Sequence, residues 1–195
     1  MTNKIGAAMA GGNPTQGRNA EDFYPSPDEC TIGLLDAEEQ YIRAHSGFIF
    51  EPACGDGAMA KVFLERKFGV YCHDLVYRGY LHSLSGRDFL TDEPIEGTTG
   101  IPIITNPPFN LAPAFIRRAL EDCAAPYLAL LLKSTFWHAK SRYKLFCDHP
   151  PSVIYPMTWR PDFMKRGAPT MDCSWIVWDT NRPGTSYIPM LKPTI

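Results

Sequence analysis

The sequence has no long apolar run, no paired cysteines and no clustered histidines. No stretch approaches the ~20 consecutive apolar residues that span a bilayer, so neither a membrane helix nor a membrane partner is expected. The five histidines show no metal-ligand spacing, and we expect no metal site. Without a C-x-x-C pair, the cysteines are predicted to be reduced, mostly buried thiols of a cytoplasmic protein. They are Cys30, Cys54, Cys72, Cys123, Cys147 and Cys173.

A strong net charge and internal repeats are also absent. The formal net charge of −2 argues against a surface that binds polyanions everywhere. The chain has 195 residues, 45% of them hydrophobic and 21% charged, which is ordinary usage for one folded core. Residues 1–20 are rich in small and polar residues and lack the apolar core of a signal peptide. They are predicted to be a disordered leader, and residues 21–195 a single domain.

The most specific motif is Asn106-Pro107-Pro108-Phe109, which follows an apolar run at residues 101–105. The Asn106 side-chain carbonyl and the Pro107 backbone carbonyl can accept both hydrogens of one planar amino group. The two prolines fix the backbone that carries these acceptors, and Phe109 offers a flat ring for stacking. A proline-stiffened turn at the end of a buried strand is the alternative, and the motif upstream makes it the weaker interpretation.

That upstream motif is Glu51-Pro52-Ala53-Cys54-Gly55-Asp56-Gly57, between an apolar run and a helical pattern. Its glycines permit a tight turn and close approach of a ligand to the backbone. It is not the dinucleotide fingerprint G-x-G-x-x-G, because Ala60 takes the place of the third glycine. A carboxylate in the loop would repel a pyrophosphate, so the motif favours a ligand with a positive amino group. A plain strand-to-helix turn is the alternative for the Gly-x-Gly alone.

Together with Phe23-Tyr24-Pro25-Ser26-Pro27, these motifs resemble those of S-adenosylmethionine-dependent amino-methyltransferases, most closely the N6-adenine DNA methyltransferases. Ser26 stands where relatives more often have Thr. The resemblance implies S-adenosyl-L-methionine as cofactor and DNA, with RNA second, as partner. It implies methyl transfer to the exocyclic N6 amine of adenine by direct in-line attack. A flipped base would be held by the catalytic residues Asn106, Pro107, Pro108 and Phe109.

The resemblance also implies a cofactor site. Glu51 would face the ammonium group, Asp74 the ribose hydroxyls and Asp88 the amine of the cofactor's adenine, with Phe89 against its ring. An N-cap or loop carboxylate is the alternative for Asp74, an exposed side chain for Asp88, and a generic proline-rich helix start for residues 24–27. The cofactor-binding candidates are Tyr24, Pro25, Ser26, Glu51, Ala53, Gly55, Asp56, Gly57, Asp74, Asp88 and Phe89.

Alternating patterns predict a Rossmann-like α/β fold with a mostly parallel sheet. Strands are predicted at residues 48–53, 69–73, 87–90, 101–105, 127–132, 152–155 and 174–178, and helices at 28–45, 58–67, 111–124 and 139–147. Ser26 or Asp28 is expected to start the first helix, and the last two strands to pair as a long-looped hairpin. The resemblance implies the class I methyltransferase fold, with seven strands in the order 3-2-1-4-5-7-6, strand 7 antiparallel and helices on both faces.

Charge is uneven along the chain. Residues 133–166 hold seven basic and two acidic side chains, a local net of about +5. Basic residues on the substrate side contact nucleic-acid phosphates, and interleaved aromatic residues stack on bases. A solvated helix face is the alternative for Lys140, Arg142 and Lys144, and packing of the late loop on the sheet is the alternative for its aromatics. The substrate-binding candidates are Lys133, Trp137, His138, Arg160, Lys165 and Arg166.

Two other functions stay open at this stage. Asn-Pro-Pro-aromatic motifs also serve enzymes that methylate rRNA bases or a protein glutamine. The third hypothesis is a non-catalytic, cofactor-binding subunit of another methyltransferase. It is the least favoured, because the tetrapeptide Asn106-Pro107-Pro108-Phe109 is intact. Residues 158–173 leave room for only a small recognition loop and no large target-recognition domain. Sequence specificity is therefore expected to be short, weak or supplied by a partner.

Overall fold

Strands and helices alternate along residues 23–194, the part of the chain that this computed structural model describes. The strands are β1 (Phe48–Glu51), β2 (Gly69–Asp74), β3 (Ser83–Ser85), β4 (Ile103–Thr105), β5 (Tyr127–Lys133), β6 (Val153–Pro156), β7 (Cys173–Asp179) and β8 (Ser186–Tyr187). The α-helices are α1 (Asp28–His45), α2 (Ala58–Glu65), α3 (Ala112–Arg117) and α4 (Tyr143–Asp148). The predicted leader, residues 1–20, lies outside the described residues. Within residues 23–194, no helix combines the length and apolar character needed to cross a membrane.

The strands form one sheet in the order β3-β2-β1-β4-β5-β7-β6-β8. Neighbours from β3 to β5 are parallel, whereas β7 runs antiparallel to both β5 and β6. The Rossmann-like α/β fold, the order of the seven strands and the pairing of the last two are therefore confirmed. An eighth strand, β8, lies parallel to β6 at the edge. It was not predicted, because its two residues are exposed and form no apolar run.

Helices cover both faces of the sheet, as predicted, and β5 shows how. Tyr127, Ala129 and Leu131 pack with residues of α1 and α2, whereas Leu128 and Leu130 pack with residues of α3 and α4. Successive side chains of a strand point to opposite faces, and all five of these are fully buried. The continuous apolar run of β5 is thus that of a strand buried on both sides.

A buried carboxylate in α1 links this helix to β5, to β6 and to the residues that follow β7. The fully buried Glu38 accepts hydrogen bonds from Tyr127 Oη at 3.0 Å, from Tyr155 Oη and from Arg182 Nη1 at 2.9 Å. Arg182 Nε also donates to Asp179 at 2.6 Å. Removing Arg182 would leave the buried Glu38 without a charged partner, which is strongly destabilising. The sequence pattern gave no sign of this network, because its members lie up to 144 residues apart.

The third strand was predicted at the wrong place. β3 is Ser83–Ser85, and residues 87–90 form a loop. β3 lies at the edge of the sheet beside β2, and Ser83 and Ser85 are only partly buried, so no apolar run marks it. In residues 87–90 the Asp88 carboxylate accepts from Leu90 N at 2.9 Å, and Asp88 N donates to Asp92 at 3.1 Å. These local bonds shape a turn instead of a strand.

Helix ends also differ from the predictions. α1 begins after Pro27 with no side-chain capping bond, so the expected cap by Ser26 or Asp28 was wrong. α3 ends at Arg117 and continues as a π-helical turn, Arg118–Asp122. The last predicted helix begins as a 3-10 turn, Lys140–Arg142, before α4. All six cysteines are free, and only Cys147 is exposed.

Candidate functional site

A cavity of about 330 Å³ lies where β1, β2 and β4 end. Parallel α/β sheets bind ligands at this edge, and the volume is that of a small-molecule site. The cavity brings together the three sequence motifs, including residues 23–27, which we call the strap. The predicted residues that line it are Tyr24, Pro25, Ser26, Glu51, Ala53, Asp56, Asp74, Asp88, Phe89, Asn106, Pro107, Pro108 and Phe109.

Gly55 and Gly57 set the course of the loop after β1 rather than lining the cavity. Gly57 precedes α2 with φ +77°, a conformation that favours glycine, and a Cβ there would lie 2.5 Å from the Tyr80 ring. Gly55 N donates to Asp74 Oδ2 at 2.7 Å, which joins the loop to the end of β2. The loop therefore runs close to the sheet edge with its backbone beside the cavity.

Glu51, the last residue of β1, is a buried acid with an unused oxygen. Its side chain is 1% exposed, and Oε2 has no hydrogen-bond partner among residues 23–194. Burial raises the pKa of Glu51 well above its ordinary value, and the nearby Cys54, Asp74 and Asp56 raise it further. An unpaired buried polar atom is costly. Glu51 lines the cavity, so this oxygen is available to a ligand bound there.

This pKa predicts a pH dependence of stability. Because the folded state holds the Glu51 proton to higher pH than the unfolded chain does, the free energy of unfolding falls as the pH rises from 4.5 towards the folded pKa. Glu51→Gln lacks this titration, so its stability relative to wild type should grow by up to about 1.4 kcal/mol per pH unit in that window. Denaturant unfolding of both proteins between about pH 5 and pH 8 measures the difference. A difference that does not change with pH would contradict the assignment.

The other acids of the cavity are held by backbone N–H groups. Asp74 Oδ2 accepts from Gly55, and Oδ1 accepts from Val76 N at 2.9 Å. Asp88 lies in the loop after β3 instead of ending that strand as predicted, but it still lines the cavity. Each carboxylate oxygen has a further lone pair, so both groups keep the capacity to accept from a ligand.

Asn106 follows β4, and its amide is oriented by the strap. Nδ2 donates to Ser26 Oγ at 3.1 Å and to the backbone carbonyl of Tyr24 at 3.4 Å. A carbonyl only accepts, so the nitrogen of the amide faces the strap. Neither bond uses Oδ1, which is therefore left to accept from a ligand. Phe109, three residues further on, is partly buried and carries Lys133 Nζ 4.9 Å from its ring centroid.

Lys133 thus lies beside Phe109, but neither it nor any other substrate-binding candidate is among the residues that line the cavity. Trp137 stacks on Phe146 with ring centroids 4.3 Å apart, at the wall of a separate open groove of about 740 Å³. His138 is exposed. Arg160 pairs with Asp172 at 2.8 Å in the segment between β6 and β7. Lys165 and Arg166 are exposed further along the same segment.

Aromatic residues of that segment pack inward. Phe163 is 8% exposed, and Trp159 packs against the cluster that includes residues of α1. The alternative of a loop that packs its own apolar side chains on the sheet is therefore the correct one for these two residues. The segment exposes charged side chains, and its rings stabilise the fold.

Several cavity residues were missed. Leu75, Val76 and Arg78 come from the loop after β2, and Leu111 and Phe115 from the start of α3. The Arg78 guanidinium lies 4.2 Å from the centroid of the Phe23 ring, at the start of the strap. Position just after a predicted strand was the available signal, but these residue types carry no chemistry that singles them out.

No protein-family model and no curated protein matches this sequence. Solved structures do resemble it. A candidate RNA methyltransferase from Pyrococcus horikoshii is 12% identical with TM-score 0.62, over 85% of this chain and 90% of that one. A candidate class I S-adenosylmethionine-dependent methyltransferase from Listeria monocytogenes is 14% identical with TM-score 0.61, over 97% and 72%.

A type I restriction-modification methyltransferase subunit from Streptococcus thermophilus is 14% identical with TM-score 0.57. The match covers 85% of this chain but 47% of that subunit, so this chain spans about half of its length. At these identities, the comparisons establish the shared fold.

Proposed function

We propose that this protein transfers a methyl group from S-adenosylmethionine to the exocyclic N6 amine of adenine in DNA. The observation that carries the proposal is one cavity that holds both Glu51, whose Oε2 has no partner within residues 23–194, and the oriented amide of Asn106. The fold is shared with a type I restriction-modification methyltransferase subunit and a candidate RNA methyltransferase, which supports methyl transfer to nucleic acid.

The residues of the cavity fit this cofactor. Glu51 Oε2 would accept from its ammonium group, and the backbone at Ala53, Gly55 and Gly57 would pass along its methionyl part. Asp74 would receive the ribose hydroxyls, and Asp88 the adenine amine. The strap residues Tyr24, Pro25 and Ser26 and the loop residue Asp56 line the same cavity, with Phe89 beside Phe115, ring centroids 4.9 Å apart.

Residues 106–109, which we call the acceptor loop, would orient the attacking amine. Asn106 Oδ1 and the Pro107 carbonyl would accept its two hydrogens, while Pro108 stiffens the loop. This favours a more tetrahedral nitrogen whose lone pair points at the methyl group, and orientation is the main source of rate. S-adenosylmethionine, when bound, would supply a sulfonium methyl group: the amine nitrogen would bond to its carbon while the carbon–sulfur bond breaks and sulfur keeps the electron pair. The nitrogen then loses one proton to solvent.

The base would reach the cavity by leaving the helix stack, because the amine is inaccessible inside a duplex. Phe109 would stack on the flipped base, an interaction of about 1–3 kcal/mol in single-strand binders. Lys133, at 4.9 Å from the Phe109 ring, would contact a nearby phosphate. Arg160, Lys165 and Arg166 would supply phosphate contacts from the segment between β6 and β7.

The open groove that follows β5 would receive nucleotides beside the target. It is lined by the stacked ring of Trp137, by the 75% exposed Tyr143 and by Lys140 and Lys144. Tyr143→Ala should weaken binding of a single-stranded oligonucleotide by about 5- to 100-fold, as expected for one stacked base. Fluorescence anisotropy measures this, with affinity for S-adenosylhomocysteine unchanged. Tyr187→Ala, at another exposed tyrosine, is the control, and equal oligonucleotide affinities of the two variants would contradict the groove's role.

We further propose that residues 21–195 act as one catalytic domain in the cytoplasm. The stretch between β6 and β7 is short, and two of its aromatic residues pack inward. It offers a small recognition surface at most. Sequence specificity would then be short, weak or supplied by a partner.

Competing acceptors test the proposal. Purified protein is given tritiated-methyl S-adenosylmethionine with unmethylated DNA, adenine-methylated DNA, rRNA and an unrelated protein mixture. We expect label in unmethylated DNA and much less in DNA already methylated at adenine. Label in rRNA or protein alone would replace DNA by one of the alternative acceptors. Cofactor binding without any transfer would indicate a non-catalytic subunit.

A further inference from the structure

The strap contacts both halves of the cavity. At one end, Phe23 packs directly on the loop after β1, since a Cβ at Gly55 would lie 2.2 Å from its ring. At the other end, Ser26 Oγ and the Tyr24 carbonyl receive the Asn106 amide. Ser26 is 8% exposed, so its bond to Asn106 is largely shielded from water. The cofactor side and the acceptor side are thereby joined through five residues.

The contacts with Tyr24 and Ser26 hold the Asn106 amide in one orientation. The terminal torsion of an asparagine is broad and roughly two-fold, so the amide can turn over unless its two ends are distinguished. The Tyr24 carbonyl only accepts and so distinguishes the two ends, while the Ser26 hydroxyl adds the shorter bond that holds Nδ2 against the strap. Without that hydroxyl, one contact of 3.4 Å to the Tyr24 carbonyl would remain. A turned amide would present its NH₂ to the NH₂ of an acceptor, and two donors cannot bond.

We infer that Ser26 is a positioning residue for Asn106, and that the strap couples the cofactor half of the cavity to the acceptor half. The inference rests on the proposed function and adds a regulation of the same site. A ligand that orders the strap on the cofactor side also fixes the Asn106 amide, so cofactor and target base bind with positive cooperativity. Such coupling is reciprocal between the two ligands.

Two measurements on Ser26→Ala test the role of the hydroxyl. We expect kcat for methyl transfer to fall by about 10- to 100-fold, since small misplacements of reacting groups have effects of this size. The Kd for S-adenosylhomocysteine is measured beside it, because Ser26 also lines the cavity, and kcat is compared at saturating cofactor once thermal unfolding shows an intact fold. Ser26→Thr keeps the hydroxyl and should restore kcat. Ser85→Ala removes a buried hydroxyl that has no partner among the described residues and should change neither quantity.

The coupling is measured by binding alone. The Kd of an oligonucleotide with an unpaired adenine is determined with and without saturating S-adenosylhomocysteine. Wild type should bind at least about fivefold more tightly with it, the low end of ordinary coupling, and Ser26→Ala should lose most of this ratio. If wild type binds and transfers methyl groups, and Ser26→Ala has the same kcat and the same ratio of Kd values as wild type, the inference is overturned. The proposed function would still stand. Failure of wild type to bind S-adenosylhomocysteine would overturn both.

Discussion

Asn106→Ala is expected to lower kcat for methyl transfer by about 10²- to 10³-fold, the loss seen when one preorganised polar group at a reacting centre is removed. The substitution removes the Oδ1 acceptor. This oxygen is available to a ligand because the amide bonds Ser26 and Tyr24 through Nδ2. The amine would keep one acceptor, the Pro107 carbonyl, and its lone pair would no longer be held in line. Single-turnover transfer of a tritiated methyl group to DNA measures this loss.

Asn110→Ala is the matched control, because Asn110 lies four residues along the same loop and is exposed. It should transfer methyl groups at close to the wild-type rate. The affinity of Asn106→Ala for S-adenosylhomocysteine should remain near that of wild type, because the cofactor contacts are proposed elsewhere. An Asn106→Ala protein that retains methyl-transfer activity would contradict the proposed mechanism.

Glu51→Gln is expected to weaken binding of S-adenosylhomocysteine by at least about 30-fold, because loss of one partner of a buried charge pair costs about 2–5 kcal/mol. The Glu51 carboxyl is 1% exposed and one oxygen has no partner among residues 23–194. Its pKa is raised in the ligand-free protein. A bound ammonium group favours the ionised form, so affinity should rise with pH up to the free pKa and binding should release a proton.

Calorimetric titrations in buffers of different ionisation enthalpy measure both the affinity and the proton release. Glu65→Gln changes an exposed acid at the end of α2 and should match wild type in both. A Glu51→Gln protein that binds within about threefold of wild type would show that the ammonium group is held elsewhere.

The fold was predictable where one residue pattern dominated. β5 is a continuous apolar run and β1 leads into a glycine loop, so both were placed within two residues. β3 and β8 were not predicted. Both are short edge strands whose residues are exposed or partly exposed, so neither has an apolar run or an alternation of buried and exposed positions long enough to mark a strand. Their pairing is decided by the neighbouring strand rather than by their own sequence.

The candidate site was predictable as a set of loops but not as a set of contacts. The motifs at Glu51 and Asn106 fall after strands, and parallel strands bring their carboxyl ends to one edge. Ser26 was expected to start a helix or bind cofactor; it does not cap the helix, but it lines the cavity and also accepts from an amide 80 residues away. Nothing local in the sequence encodes such a bond. The basic residues at 160–166 share a basic stretch of sequence with Lys133, but none of them lines the cavity.

The position of the transferred methyl group tests the central claim most directly. DNA labelled by wild type with tritiated-methyl S-adenosylmethionine is digested to nucleosides and separated by chromatography. We expect the label to migrate with N6-methyl-2′-deoxyadenosine, and to be lost with Asn106→Ala but not with Asn110→Ala. Label on cytosine, or an equal yield from the Asn106→Ala protein, would contradict it.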